Sequence, residues 1–519
     1  MNRLFAYAGK DIPAGLVVFL VALPLCLGIS LASGAPFFSG IISGVIGGIV
    51  IGIFSNSNLS VSGPAAGLAS LVLGAITAIG DYRLFLCAVV LAGLIQIALS
   101  LLKLGGIANY IPGSVIKGML TSIGILIIAK QIPKGLGIDV IYAGKDILSH
   151  IHFTAIFICL FSIGIIALWE KPFIKKRFGM IPGALVAVFT SVILNWFIGT
   201  LSSSYALDGN RLVNLPTASS MSEFFQLFTL PDWSGFTDSK VITYGLFIAL
   251  IASLETLLSI EAIDNLDPEK RITDSNRELL AQGIGNSIAG LIGGLPVTSV
   301  IVRSTANLNT GARSKLSTIF HGILLLVCVA LIPTVLNKIP LASLAAILIY
   351  TGYKLAKPQT FLSMFKNGKY QFIPFIITVA SIIALDLIGA IDLLKGKGLI
   401  IGVIAGIVSA VIGILKGNLK NPYFFHKEKH HHGDAVLIKL SEEVSFLNKA
   451  SIRQTLDHMP ESTRVIIDAS NTKYIDFDIL ELIKEFRDIK APLKNITCHL
   501  LGFRNEYKIE NNLKVQSIH

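Results

Sequence analysis

An α-helical polytopic membrane protein, a 7+7 inverted repeat of about fourteen spans followed by a small α/β domain, is the fold class this sequence predicts. Three observations predict it. The 519 residues are 53% hydrophobic and only 14% charged, with a mean hydropathy of +0.72, where an average soluble domain is about 25% charged. Two apolar stretches are broken at matching places, at Ser62-Gly63-Pro64-Ala65-Ala66 and at Gly293-Gly294-Leu295-Pro296-Val297, 232 positions apart. After Leu415 the composition turns abruptly polar.

Apolar runs near the ~20 residues that cross a bilayer follow one another from Pro13 to Leu415. By run length and flanking charge, the first seven spans start near Pro13, Ser39, Pro64, Leu84, Ser114, Ile151 and Ile181. The second seven start near Val241, Leu279, Val297, Leu316, Leu341, Phe372 and Gly398. The opening run, Pro13 to Leu31, has Arg3 and Lys10 before it like a signal peptide, but further spans follow at once and no cleavage site leads into a soluble domain. Both proline breaks fall at the start of the third span of their half. An odd number of spans per half forces opposite topologies, so the repeats (about 11–200 and 241–415) are inverted. The same offset sets Leu23 and Pro24 of the first span opposite Glu255 and Thr256 of the eighth. Those two spans should flank the broken helices.

The formal charge of +11 does not point to nucleic acid, because the cations sit in short loops between spans. Lys171, Lys175, Lys176 and Arg177 form the strongest group; Lys270, Arg271 and Arg277, then Arg313 and Lys315, then Lys354, Lys357, Lys366 and Lys369 follow. All come after even-numbered spans, which sets both termini in the cytoplasm of a cell whose inner membrane the chain spans. The segment Leu201 to Lys240 carries only Arg211 and Lys240 as cations, as an external loop should. The five cysteines are scattered and read as small core residues, with neither a disulfide framework nor a metal pattern.

A transmembrane domain over 1–415, a linker over 416–433 and a small domain over 434–519 follow. The linker holds His430, His431 and His432 in a charged stretch without a cysteine partner, which reads as solvated chain rather than a zinc site. Beyond it, strands at 435–440, 464–468 and 496–501 alternate with helices at 449–458 and 479–489, an α/β pattern.

Non-helical backbone at membrane depth survives only where protein encloses it, and paired interruptions point to a binding site near the midplane. A helix starting there points free N–H groups and its positive dipole end into the cavity. The third span is expected to begin at Pro64, a favoured first helical position, with Ala65, Ala66 and Gly67 admitting an anion to the backbone. The tenth should begin at Pro296, with Thr298 and Ser299 as first-turn hydroxyls and Arg303 near the second turn. Arg303 either completes an anion site or snorkels to the cytoplasmic interface. Glu255 is the one acid in the apolar part of the eighth span. Desolvation penalises its charged form, so it either carries a proton, holds sodium with Ser259 one turn on, or is a structural carboxylate neutralised by Arg303. No nucleophile, base and electrophile come together, which excludes an enzyme, and no cofactor is called for beyond a coupling H⁺ or Na⁺.

These stretches, Pro24 to Pro36 (PLCLGISLASGAP), Ser62 to Gly67 (SGPAAG), the Glu255 segment, Gly293 to Gly311 (GGLPVTSVIVRSTANLNTG) and the tail, resemble the SulP family of anion transporters over nearly the whole chain. The resemblance implies core and gate domains in elevator-like motion, a homodimer, and a tail of the STAS type that offers a surface to cytoplasmic partners. It implies an anion site at Gly63, Pro64, Ala65, Ala66, Val297, Thr298 and Ser299, with Arg303 at a basic position of the family, Leu25 and Ile29 lining the pocket, and Glu255 from the eighth span. Many members have Gln and an aromatic where this chain has Leu25 and Ile29, which leaves fewer side-chain hydrogen bonds for sulfate and room for bicarbonate. Where STAS domains often carry a phosphorylatable serine, this chain reads Ile475-Asp476-Phe477-Asp478-Ile479. A phosphorylation switch is not expected there, and Asp476 should cap the following helix.

The expected function is secondary active import of a small inorganic oxyanion, bicarbonate or sulfate, coupled to a cation through Glu255. A non-transporting anion sensor acting through the tail and a passive anion channel are the alternatives. Nucleobase carriers share the fold, but the broken helices offer little beyond Thr298 and Ser299 to read a base edge.

Overall fold

The computed structural model describes residues 5–138, 151–178, 181–202, 205–218, 220–387, 398–418, 431–432, 435–507 and 509–510. Within them the spans form two sets of seven helical segments. The first set is α1 (Ala8–Ala32), α2 (Phe37–Ile46), α3 (Ala69–Ile79), α4 (Tyr82–Leu101), α5 (Gly113–Gly135), α6 (Phe153–Trp169) and α7 (Gly183–Leu201). The second is α8 (Ser239–Leu266), α9 (Ser275–Leu291), α10 (Ile301–Asn309), α11 (Leu316–Leu331), α12 (Leu341–Leu355), α13 (Lys369–Asp386) and α14 (Gly398–Asn418). The third segment of each set is entered through a short strand, β1 (Ser62–Pro64) and β2 (Val297–Ser299). Local chemistry sets several starts: Asp81 accepts from the Arg83 amide at 2.6 Å before α4, Asp238 from the Lys240 amide at 2.8 Å before α8, and Asp274 from the amides of Asn276 and Arg277 before α9. Gly80, with φ of +87°, closes α3 in the left-handed conformation that glycine adopts without strain.

The two broken spans differ from expectation in one respect. Pro64 ends a strand instead of opening a helix, and after Ala65 the chain makes a 3₁₀ turn over Ala66–Leu68 before α3. Likewise Val297, Thr298 and Ser299 are strand, and α10 begins only at Ile301. The physical reason is pairing: Ser62 lies opposite Ser299, Gly63 opposite Thr298 and Pro64 opposite Val297 in an antiparallel ladder. Backbone groups that one chain stretch leaves open at membrane depth are satisfied by the matching stretch of the other repeat.

The chain divides into two compact units. The first comprises Met1–Gly105, Leu120–Lys357 and Ser381–Ile401. Its core is a buried apolar cluster that includes Leu25, Cys26, Leu27, Ile41, Ile46, Val297, Leu325 and Leu344. Close helix crossings depend on small residues: a Cβ on Gly48 of the π-turn that continues α2 would fall 2.5 Å from the Cα of Gly322 in α11.

The second unit comprises Gly106–Met119, Pro358–Ala380 and Gly402–His519. Beyond α14 it holds β3 (His431–His432), β4 (Ala435–Lys439), β5 (Glu443–Val444), α15 (Lys449–Asp457), β6 (Arg464–Asp468), β7 (Tyr474–Ile475), α16 (Phe477–Glu485) and β8 (Thr497–Leu501). The main sheet has the order β3-β4-β6-β8, parallel except for β3 at its edge, and β5 pairs with β7 in a second ladder. Ile452, Leu456, Ile479, Leu482, Ile483 and Phe486 pack from the helices onto Val465, Ile467 and Leu500. Asp476 caps α16, its Oδ1 accepting from the Asp478 amide at 3.0 Å. Most of the expected 416–433 linker lies outside the described residues.

Candidate functional site

The ribbon of β1 and β2 lies within the first unit, and all six of its residues are buried. Its strands run antiparallel, so α3 and α10 leave it at opposite ends with their positive N-terminal ends turned toward it. The first and eighth spans flank it as their register predicts: α1 packs against α10 and β1, and α8 against β2 and the turn before α3.

Arg303 falls in the first turn of α10, because Val297–Ser299 are given to the strand. It is fully buried, the largest such side chain among the described residues, and does not snorkel to an interface. Its guanidinium lies on the Cα of Gly63, where any Cβ would collide with Nη1. Nη2 donates to the Cys26 sulfur at 3.4 Å, whereas Nε and Nη1 have no hydrogen-bond partner among the described residues.

Glu255 approaches the same segment four residues later. A Cβ on Gly67 would fall 2.6 and 2.7 Å from its two carboxylate oxygens, and Oε2 has no hydrogen-bond partner among the described residues. Glu255 and Arg303 form no ion pair among the described residues. The carboxylate instead faces the first turn leading into α3, and the guanidinium faces β1. Ser259 is buried one turn further along α8.

The hydroxyls expected to face an anion from a first helical turn are used within the ribbon. Ser299 Oγ lies 2.6 Å from Ser60 Oγ, the Ser299 amide donates to Thr256 Oγ1 at 3.2 Å, and Thr298 Oγ1 donates to the Ser299 carbonyl at 3.4 Å. Pro64, Ala65 and Ala66 bring backbone rather than side-chain polarity to the turn before α3. Leu25 shares an apolar cluster with Val297, and Ile29 is buried one turn along α1.

A polar frame that sequence reading missed holds the ribbon in place. Glu278, Gln282 and Asn286 recur at four-residue spacing along α9 and are fully buried. Asn286 accepts from the Val297 amide at 2.6 Å and donates to the Val297 carbonyl at 3.0 Å and to Gln96 at 2.7 Å. Gln282 donates to Ser62 Oγ at 2.7 Å and to Glu278 at 2.9 Å. From the α10 side, Ser304 Oγ accepts from the Val61 amide at 2.8 Å and Asn307 donates to the Leu59 carbonyl at 3.0 Å. The four-residue polar stripe inside an apolar span was the available signal. Cys26 had none, since its contact with Arg303 spans 277 positions.

Comparison with known proteins agrees with this architecture. The Sulfate permease family matches residues 9–378. YvdB of Bacillus subtilis is 28% identical over 436 residues, covering 81% of this chain and 76% of its own. The bicarbonate transporter BicA of Picosynechococcus sp. is 26% identical over 358 residues, covering 66% and 61% respectively. Among solved structures, that of SLC26A9 superposes with a TM-score of 0.64 at 14% identity, over 97% of this chain and 86% of that one.

Proposed function

The chain belongs to the sulfate permease family, a family of anion transporters rather than enzymes, and from that premise we propose that it is a secondary active importer of a small inorganic oxyanion, bicarbonate or sulfate, coupled to H⁺ or Na⁺ through Glu255. The observation that carries this reading is the buried Arg303 guanidinium, aimed at Gly63 with two nitrogens unpartnered among the described residues. A buried charge left uncompensated costs several kcal/mol, so an anion at the ribbon would be drawn to it. Two converging helix N-termini add partial positive charge without a second cation.

Glu255 supplies the coupling. Its carboxylate rests on Gly67 at the entry to α3, where a negative substrate would be repelled by it. A proton or sodium ion on Glu255 removes that repulsion and lowers the cost of carrying the loaded site through the bilayer. The apolar Leu25 and Ile29 offer a large oxyanion no side-chain hydrogen bonds and so favour bicarbonate, which BicA carries by name. Elevator-like motion, a homodimer, a STAS-like tail on the cytoplasmic side and an inner-membrane location with both termini inside complete the reading.

Uptake of labelled bicarbonate and labelled sulfate into proteoliposomes under a sodium or a proton gradient tests it. One anion should be driven by one gradient, and Glu255→Gln should abolish the gradient dependence while leaving the protein folded. Undiminished coupled uptake by that variant would sink the coupling role. Absence of both fluxes in the folded native protein would favour an anion sensor.

A further inference from the structure

Within the second unit, two carboxylates at the head of one tail helix are buried against the starts of two apolar helices. Asp476 and Asp478 are 4% and 6% exposed. Asp476 divides its oxygens: Oδ1 caps α16 through the Asp478 amide, and Oδ2 accepts from Gln371 Nε2 of α13 at 2.7 Å. Asp478 Oδ2 accepts from the backbone amide of Gly113, the first residue of α5, at 2.8 Å. Between the two, the Lys117 ammonium of α5 lies 4.6 Å above the Phe477 ring, and Tyr370 and Tyr474 meet at 5.4 Å. The helix starts are themselves adjacent, since a Cβ on Gly118 of α5 would fall 2.9 Å from the Phe375 carbonyl of α13.

Gly113 has no side chain to satisfy the open amides at the head of α5. A carboxylate reaching from 365 positions away supplies the cap, in the place where negative charge is best tolerated. Gly113 also leaves the room, because a Cβ there would collide with Asp478.

We propose that the head of α16 is a clamp on the transport helices: Asp478 caps α5, Asp476 grips Gln371 of α13, and the maximal transport rate depends on both contacts. Tail and helices are thereby coupled through two named carboxylates, so that an event at the tail reaches α5 and α13 without passing through the anion site. Anion recognition at the ribbon involves none of these residues.

The test uses the full chain in lipid nanodiscs for amide hydrogen exchange and in proteoliposomes for uptake. Asp478→Ala removes a charge-assisted hydrogen bond, so exchange at 113–117 should rise at least about tenfold. Asp478→Asn, which keeps an acceptor of the same size, should restore part of that protection. Gln371→Leu releases the clamp from the helix side and should lower the maximal uptake rate while leaving the half-saturating anion concentration unchanged. Exchange needs no transported anion, so this arm stands whether or not the assigned substrate is right. Native-like exchange at 113–117 in Asp478→Ala, or a rise confined to 477–490 of the tail, would overturn the clamp, as would a native uptake rate in Gln371→Leu.

Discussion

Replacing Gly67 by Ala separates the coupling group from the anion site without touching either charge. The new methyl carbon would sit 2.6 Å from one Glu255 oxygen, 2.7 Å from the other and 2.8 Å from the carboxyl carbon. Ordinary contact begins at 3.4 Å, so the carboxylate must retreat by about 0.8 Å, and small-to-large changes of this kind cost about 1–3 kcal/mol. The obstacle is the end of a flexible side chain, which places the cost at the low end, about 1–2 kcal/mol. If Glu255 binds the coupling cation in its present position, that energy appears as a cation activation constant raised about 5- to 30-fold. The anion constant should stay near the native value, because Gly63 and Arg303 are four residues and one strand away. Initial uptake rates measured against cation concentration at saturating anion, and against anion concentration at saturating cation, give the two constants, with gel filtration to confirm intact protein. A native cation constant in a folded Gly67→Ala transporter would refute the assignment of Glu255 as the coupling group.

Arg303→Gln should raise the half-saturating anion concentration steeply: one charge at about 4 Å in an effective dielectric of 20 contributes about 4 kcal/mol, roughly a thousandfold, and unaltered saturation in uptake assays would dismiss the charge as an anion ligand. Asn286→Ala breaks both bonds to Val297 and should lower stability by about 3 kcal/mol, read as a depressed thermal unfolding midpoint; an unmoved midpoint would show that the α9 frame does not hold the ribbon. The tail should be sensitive to pH. Burial first, and then the Asp478 carboxylate, push Asp476 from its ordinary 3.8 up to about 7, against the opposing influence of the Asp478 amide it caps, then Lys449 and the Gln371 hydrogen bond. An acid raised in the folded state takes up a proton on folding, so its contribution is complete below about 4 and is lost as pH climbs to about 7. The protection factor of α16 amides, which divides out the intrinsic base-catalysed rise of exchange with pH, should therefore fall between those limits in the native protein and stay level in Asp476→Asn.

Hydropathy and proline alone located most of the scaffold. Each expected span start falls within a few residues of an observed helix or, at Pro64 and Val297, of the strand that precedes one, because length and apolarity are what a bilayer demands of any span. The tail strands at 435–439, 464–468 and 497–501 were legible from alternation and short β-rich runs between two amphipathic helical stretches, the local pattern of an α/β unit. Glu255 and Arg303 stood out because charge inside a span is costly.

What only the tertiary structure decided are the contacts between residues far apart in the chain. The β-branched Val297 and Thr298 lean toward a strand, but three residues alone do not make one; pairing with Ser62 to Pro64, 235 positions distant at its midpoint, fixes the strand and moves Arg303 into the first turn of α10. Cys26 gains its partner from α10, Asn286 becomes a clasp because Val297 folds beneath it, and Asp478 becomes a cap because Gly113 lies open beside it. Periodicity records which face of an element is apolar. The partner that meets that face is set by the packing of the whole chain, where an unsatisfied polar group inside protein or lipid costs more than any local propensity returns.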